Sequence, residues 1–146
     1  MATMGFRWSG IGGAPQVKEY YSDAGNDFTV GDLVTLAAGA VTIITADSKD
    51  IFGVALKAAG TSTTVKIPVQ IITPDSIWIA EADTTTTAAY QGEDYGLNIT
   101  TGSMSVDIGD TTTTTVRIEQ LDSRDGAAAL GRVYVRFKAA VLDEDV

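Results

Sequence analysis

The sequence predicts an all-β fold, either a small β-barrel or a β-sandwich of short antiparallel strands with little helix. Short runs of β-branched and aromatic residues recur along the chain with turn residues between them, and several alternate apolar with polar side chains. Only residues 125–132, DGAAALGR, favour a helical turn, and Gly126 and Gly131 enclose it closely. The length of 146 residues and the 45% hydrophobic content indicate one domain around one core.

The N-terminal segment has no clean period, because glycines and Pro15 interrupt it, yet it is rich in aromatic residues. Two interpretations are open: a strand that lies on its own domain, or an arm whose aromatic side chains dock on a neighbouring subunit. We predict an extended arm over residues 1–24, a single β domain over 25–142 and a short acidic tail over 143–146. The predicted partner-binding residues are Phe6, Arg7, Trp8, Tyr20 and Tyr21.

The stretch FTVGDLVTLAAGAVTIIT, residues 28–45, predicts a β-hairpin. Gly31 and Asp32 form a turn that opens the first strand, and AAGA connects it to the second. The connecting turn carries no nucleophile, metal ligand or modifiable lysine. We therefore interpret the hairpin as framework, not as a site.

Further strands are expected along the rest of the chain. Their ranges are 51–56, 65–71, 77–79, 97–99, 106–108, 116–121 and 132–139. The run 65–71 alternates strictly, and Pro68 within it predicts an edge strand or a bulge. In RVYVRFKA the side chains of Val133, Val135 and Phe137 are expected on one face.

Several polar clusters in the sequence are candidates for a chemical site. The threonine runs 84–87 and 111–115 are predicted to be polar strand or loop edges, since β-branched Thr favours extended backbone. The loops 47–50 and 107–110 each hold two aspartates without EF-hand spacing, which favours solvated turn acids. Glu93 and Asp94 are adjacent carboxylates, but nothing in the sequence buries them. We therefore predict no catalytic, cofactor-binding or metal-binding residue.

The composition excludes further classes of function. The chain contains no Cys and no His, so it lacks thiolate nucleophiles, disulfides and the commonest metal ligand. Its net charge of −9 argues against nucleic acid as a partner, because phosphate binding needs clustered Lys and Arg. No apolar window approaches the roughly 20 residues that span a bilayer. We expect a soluble, unprocessed, non-enzymatic chain with no cofactor, membrane or small-molecule substrate.

The order of several motifs resembles the small β-rich decoration, or cement, proteins on the heads of tailed bacteriophages. The motifs are FTVGDLVTL, GAVTIITADSKDIFGVALKAAG, VKIPVQIITPDSIWIAEA, YQGEDYGL and GRVYVRF. Together they cover residues 28–137. The parts that carry the resemblance are Gly31-Asp32 before a strand, FGVAL after an acidic loop, and Gly92, Tyr95 and Gly96 before the next run.

The resemblance implies a structural virion protein, made in the host cytoplasm, that binds the outside of the major capsid lattice as a homotrimer and stabilises the expanded head. Repeated modest contacts across a trimer would add avidity. Two alternatives stay open. One is a virion or cell-surface β-module that binds host carbohydrate or a receptor through exposed Trp78, Tyr90 and Tyr95; the other is a structural subunit of the tail or baseplate.

Overall fold

The strands of this chain form two connected units, a six-stranded sheet and a closed five-stranded barrel. The computed structural model describes residues 5–22, 28–44, 50–59, 66–100, 104–122 and 131–142. The only helical elements in these ranges are two single 3-10 turns, Ala88–Tyr90 and Ala139–Val141. The all-β prediction, with a barrel and little helix, is confirmed.

The strands are β1 (Arg7–Gly12), β2 (Val17–Ser22), β3 (Leu33–Ala37), β4 (Ala40–Ile43), β5 (Gly53–Ala55), β6 (Lys66–Ile71), β7 (Ser76–Glu81), β8 (Asp94–Asn98), β9 (Ser105–Asp107), β10 (Val116–Leu121) and β11 (Arg132–Phe137). The sheet has the order β1-β7-β11-β10-β8-β9, and every neighbouring pair in it is antiparallel. Strand β11 buries Val133, Val135 and Phe137, as its alternation predicts.

The barrel has the order β2-β4-β3-β5-β6 and contains one parallel pair, β2 with β4. The sequence predicts antiparallel strands, and the other four pairs of the barrel are antiparallel. Five strands cannot alternate in direction all the way round a closed ring. One parallel pair is therefore a geometric consequence of closing an odd-numbered barrel.

The predicted hairpin at residues 28–45 is formed by β3 and β4. Its tightest point is a two-residue turn, Ala38-Gly39, enclosed by the paired residues Ala37 and Ala40. Both turn residues have positive φ, 52° for Ala38 and 83° for Gly39. Positive φ at both positions is typical of the type I′ turn, whose twist matches that of the strands on either side.

Pro68 lies in an interior strand of the barrel, so the prediction of an edge strand is wrong. Strand β6 pairs with β2 on one side and with β5 on the other. The backbone N–H of Leu56 donates to Pro68 O at 3.0 Å, and proline has no N–H to return that bond. The ladder with β5 ends there, since Ala55 is the last residue of β5.

Two apolar clusters stabilise the fold, where the sequence suggests one core. The first fills the barrel and consists of Phe28, Val34, Val41, Phe52, Ala55, Ile67, Val69 and Ile71. The second lies on the inner face of the six-stranded sheet and includes Trp78, Val116 and Val135. It also includes Leu33 and Val54, which face each other across β3 and β5. These two side chains therefore lie on the outside of the barrel and join it to the sheet.

The described part of the N-terminal segment lies in the chain's own sheets. Strand β1 pairs with β7, and β2 closes the barrel between β4 and β6. This matches the interpretation of a strand that lies on its own domain. The predicted boundary at residues 24 and 25, most of the helical-turn candidate 125–132, residues 47–49 of the first acidic loop and the tail 143–146 lie outside the described residues.

The threonine runs 84–87 and 111–115 lie in loops, as predicted. Each run places one threonine in the interior, Thr86 at 1% exposure and Thr115 at 0%. The backbone of Thr115 donates to Tyr95 O and accepts from Lys138 N, which joins the loop to β8 and to the end of β11. The runs are thus integral parts of the fold.

Candidate functional site

The five predicted partner-binding residues are divided between the two sheets. Phe6 is 1% exposed, and its ring centroid lies 5.4 Å from that of Phe137 in the core. Its backbone N–H donates to Gly31 O at 2.9 Å. A Cβ on Gly5 would lie 2.7 Å from the same oxygen, so only glycine allows this close approach. Phe6 is a core residue in this structure and does not reach the surface.

Arg7 and Trp8 lie on β1, at one edge of the six-stranded sheet. Arg7 is exposed and pairs across the strands with Ile79. Ile11, 46% exposed, pairs with Ile77, so Arg7 and Ile11 share the outer face of the sheet. Trp8 is half-buried against the core, and its indole N–H donates to Ile11 O at 3.2 Å. Of the two predicted residues, Arg7 is the more accessible.

Tyr20 and Tyr21 point in opposite directions from β2. Tyr20 packs its ring edge-on against Phe52, with centroids 5.2 Å apart, at the barrel core. Tyr21 is 42% exposed, and Lys66 Nζ lies 5.2 Å from the centre of its ring. Tyr21 is the most accessible aromatic residue of the predicted set.

Tyr21 belongs to a larger exposed surface, which we call the barrel wall. It is the outer face of β2 and β6 together with the residues that follow β5, and it consists of Val17, Glu19, Tyr21, Leu56, Lys57, Lys66, Pro68 and Gln70. Val17 is 53% exposed and Leu56 37%. With Tyr21 they account for three of the five large hydrophobic residues that the described part of the chain exposes. Clustered exposed apolar residues are typical of interaction surfaces.

A second polar surface, here called the charged face, covers the outer side of β8, β10 and β11. It consists of Asp94, Arg117, Glu119, Arg136 and Lys138. Pairing across the strands places Asp94 beside Arg117, and Arg117 beside Arg136. Two shallow depressions of about 350 and 370 Å³ adjoin it and share Asp94 and Arg117. No local pattern in the sequence indicates this surface, because the register between distant strands is what brings the five residues together.

Ion pairs hold the charged face together. Arg117 Nε lies 2.8 Å from Asp94 Oδ1, and Arg136 Nε lies 2.8 Å from Glu119 Oε1. The hydrogen bond from Arg117 holds the pKa of Asp94 below its ordinary value against the opposing effect of burial, and Lys138, 3.5 Å from Asp94 Oδ2, acts in the same direction as Arg117. Asp94 is therefore ionised at neutral pH and serves as an electrostatic link between three strands, which does not suit a general acid.

The acidic loop 107–110 uses its carboxylates as local hydrogen-bond acceptors. Asp110 Oδ1 accepts from the backbone N–H groups of Thr112 and Thr113, and Asp107 Oδ1 accepts from Gly109 N. Burial and the nearby Asp83 carboxylate raise the pKa of Asp107. In the described ranges no group of three or more Asp or Glu side chains has the geometry to hold a metal ion.

The aromatic residues named for carbohydrate binding are mostly inside the protein. Trp78 is 0% exposed and Tyr95 7%, so the expectation that they are exposed is wrong. The Trp78 indole donates to Ser76 Oγ at 2.9 Å, within the core. Tyr90 is half-buried and packs edge-on against Tyr95, with centroids 5.8 Å apart. These three residues do not form an open aromatic platform for a sugar ring.

No helix in the described ranges has the length and hydrophobicity needed to cross a membrane. Neither models of known protein families nor curated proteins match this sequence.

Proposed function

We propose that this chain is a structural, non-enzymatic protein of a bacteriophage head. It binds the outside of the major capsid lattice as a homotrimer and stabilises the expanded head. The motif order between residues 28 and 137 supports the proposal, because it resembles that of capsid decoration proteins. The proposal requires neither a cofactor nor a small-molecule substrate.

The observation that carries the proposal is that the exposed apolar side chains lie on outer surfaces of the fold. Of the five large hydrophobic residues that the described ranges expose, three lie on the barrel wall and Ile11 lies beside Arg7 on the edge of the sheet, whereas Val30 lies in the turn before β3. The side chains considered for catalysis or sugar binding are engaged within the protein instead, since Asp94 is ion-paired and Trp78 is buried. A rigid scaffold with outward contact surfaces suits repeated, modest contacts on a symmetric lattice.

Within the proposal, the edge of the six-stranded sheet is the surface that contacts the coat. Arg7 and Ile11 combine an exposed cation with an exposed apolar side chain on one face of β1. Arg7 makes no ion pair with any residue that the structure describes. It is therefore available to a carboxylate on the lattice, and Ile11 adds apolar contact.

The test is cosedimentation of the purified chain with expanded capsids assembled from the major capsid protein alone. We expect saturable binding and an increase in the temperature at which the capsids rupture. The double variant Arg7→Glu/Ile11→Ser should bind at least about tenfold more weakly, because it removes a charge contact and an apolar contact together. Lys18→Glu makes the same charge change at an exposed cation on another strand and should bind normally.

A chain that does not bind expanded capsids would refute the proposal. Unchanged binding by the Arg7→Glu/Ile11→Ser variant would remove β1 as the contact while leaving the function in place. Deletion of residues 1–22 is not a usable test of an arm, because it removes β1 from the sheet and β2 from the barrel.

A further inference from the structure

We propose that the barrel wall is a contact surface for a second copy of this chain, and that it binds an acidic face of that copy. The proposal rests on the proposed function for its setting, in which several copies act together on one particle. It adds which surface of this chain makes the subunit contact.

The wall carries cations that the rest of the described fold does not neutralise. Lys57 and Lys66 make no ion pair with any described residue. Of the other described cations, Arg117, Arg132, Arg136 and Lys138 pair with carboxylates of their own chain, whereas Arg7 and Lys18 make no ion pair with a described residue but lie on other surfaces. Lys66 instead lies over the ring of Tyr21, 5.2 Å from its centre. Two ammonium groups are thus left beside exposed apolar side chains.

The remainder of the chain is strongly acidic. Of its 10 Lys and Arg and 19 Asp and Glu residues, the wall contains two lysines and one glutamate. The wall therefore has a formal charge of +1, and 8 cationic and 18 anionic residues elsewhere give the rest of the chain −10. A second copy offers the wall an acidic surface, and complementary charge steers association and fixes its orientation.

Apolar contact would provide most of the affinity. Val17, Tyr21 and Leu56 are 53%, 42% and 37% exposed. Val17 and Tyr21 lie at the two ends of the outer face of β2 with Glu19 between them, and Leu56 lies beside Pro68 at the middle of the wall. Aromatic and aliphatic side chains interspersed with charges are typical of protein–protein contacts. Another part of the outer barrel surface, formed by Leu33 on β3 and Val54 on β5, is buried against the six-stranded sheet.

The charges also indicate which kind of symmetry the contact has. Two walls that faced each other would bring Lys57 and Lys66 of both copies into one interface, which like charges disfavour. The wall of one copy should instead bind a different, acidic face of the next copy. Such head-to-tail contacts close into rings when the rotation between subunits allows it.

Addition of a strand at the sheet edge is the less favourable route to self-association. In the irregular part of β1, between Trp8 and Ile11, a side chain of the strand satisfies backbone hydrogen bonds. Ser9 Oγ accepts from Ile11 N at 3.0 Å and donates to Ile77 O at 2.6 Å. A bulge that twists an edge away from a straight ladder hinders pairing with another chain. The other edge strand, β9, has only three residues.

The test is sedimentation velocity of the full-length chain over a range of protein concentrations. We expect reversible self-association that weakens as salt is raised, because screening reduces attraction between the wall and an acidic face. The variant Leu56→Ser/Lys66→Glu should associate at least about tenfold more weakly. Lys18→Glu is the matched control: it reverses an exposed cation on β2 that faces away from the wall, and it should associate like the wild type.

Thermal unfolding of each variant at low concentration shows whether it is folded. The proposal is overturned if the wild-type chain stays monomeric at every concentration, or if a folded Leu56→Ser/Lys66→Glu variant associates normally. Capsid cosedimentation separates this result from the proposed function. Binding of capsids by a monomeric wild type refutes the subunit contact and the homotrimer but leaves the role on the capsid, whereas salt-sensitive self-association without capsid binding refutes only the role on the capsid.

Discussion

Ala38 has a backbone conformation that disfavours its side chain, and the other non-glycine residue with positive φ in the described ranges is Asp50. Ala38 has φ of 52° at the first position of the β3–β4 turn, where a Cβ is unfavourable and Asn or Gly is preferred. We expect Ala38→Asn to raise the free energy of unfolding by about 1 kcal/mol, which urea denaturation would measure. Ala37→Asn, one residue earlier in β3, is the control and should give no such gain. Equal effects of the two substitutions would contradict the strain at Ala38.

Asp107 should lower the stability of the protein at neutral pH. Burial and the Asp83 carboxylate raise its pKa in the folded chain above the ordinary 3.8, so the folded state binds the proton more tightly than the unfolded state. The resulting penalty is present at pH 7 and disappears as the pH falls through the folded pKa towards 3.8. We expect Asp107→Asn to stabilise the chain at pH 7, with a gain that shrinks towards pH 4, in urea titrations at both values.

The Asn side chain keeps a carbonyl oxygen to accept the hydrogen bond from Gly109 N, so the turn should survive the substitution. A gain that is the same at both pH values would show that the effect is not caused by the charge of Asp107.

At the scale of strands, one carboxylate joins three elements of the six-stranded sheet. Asp94 on β8 is bound by Arg117 on β10 and by Lys138 directly after β11. Its lowered pKa means that the ion pairs stabilise the fold above pH 3.8 and that this stabilisation is lost as the pH falls through the folded pKa. Asp94→Asn should therefore destabilise the chain at pH 7, and the difference from wild type should shrink in acid.

The pH dependence of Asp94→Asn is thus opposite in sign to that of Asp107→Asn. Chemical denaturation of both variants across one pH series would check this directly. High salt should also reduce the loss caused by Asp94→Asn, because the pairs are partly exposed. A loss that is independent of pH and salt would indicate that Asp94 acts through packing instead of charge.

The strands themselves could be predicted from the sequence, because alternation shows which side chains share a face. Val133, Val135 and Phe137 are buried as their spacing requires. Alternation does not show what covers a face, however. Trp78 lies in the core and not at the surface, because β7 is an interior strand of the sheet and its inner face packs in one cluster with Leu33 and Val54 of the barrel. The charged face depends on the register between distant strands, which no local pattern contains.

In the N-terminal segment, neither interpretation could be preferred from sequence alone. Phe6 and Tyr21 are both aromatic residues among glycines and polar residues, yet one is 1% exposed and the other 42%. The difference arises because Phe6 packs against Phe137 in the core, whereas Tyr21 lies on the outer face of β2, and only long-range packing decides this. Aromatic composition therefore does not separate core residues from surface residues.

At the scale of the whole molecule, the barrel and the six-stranded sheet should unfold as one unit. Leu33 lies on the outside of the barrel and packs in the same cluster as Trp78 and Val135 of the sheet. Strands β1 and β2 are consecutive in the chain but belong to the two different units, which joins them further. Loss of either unit would expose the shared cluster of the other, so a partly unfolded state is unfavourable.

The substitution Leu33→Ala tests this coupling. It removes a fully buried side chain from the shared cluster and should lower the free energy of unfolding by about 2–5 kcal/mol. Both tryptophans lie in the six-stranded sheet, so their fluorescence reports on the sheet, whereas far-UV circular dichroism reports on all strands. The two signals should shift together in urea.

The control is Leu56→Ala, at an exposed leucine, which should change the free energy of unfolding by less than about 0.5 kcal/mol. If fluorescence kept its wild-type midpoint while circular dichroism shifted, the barrel would be unfolding independently of the sheet.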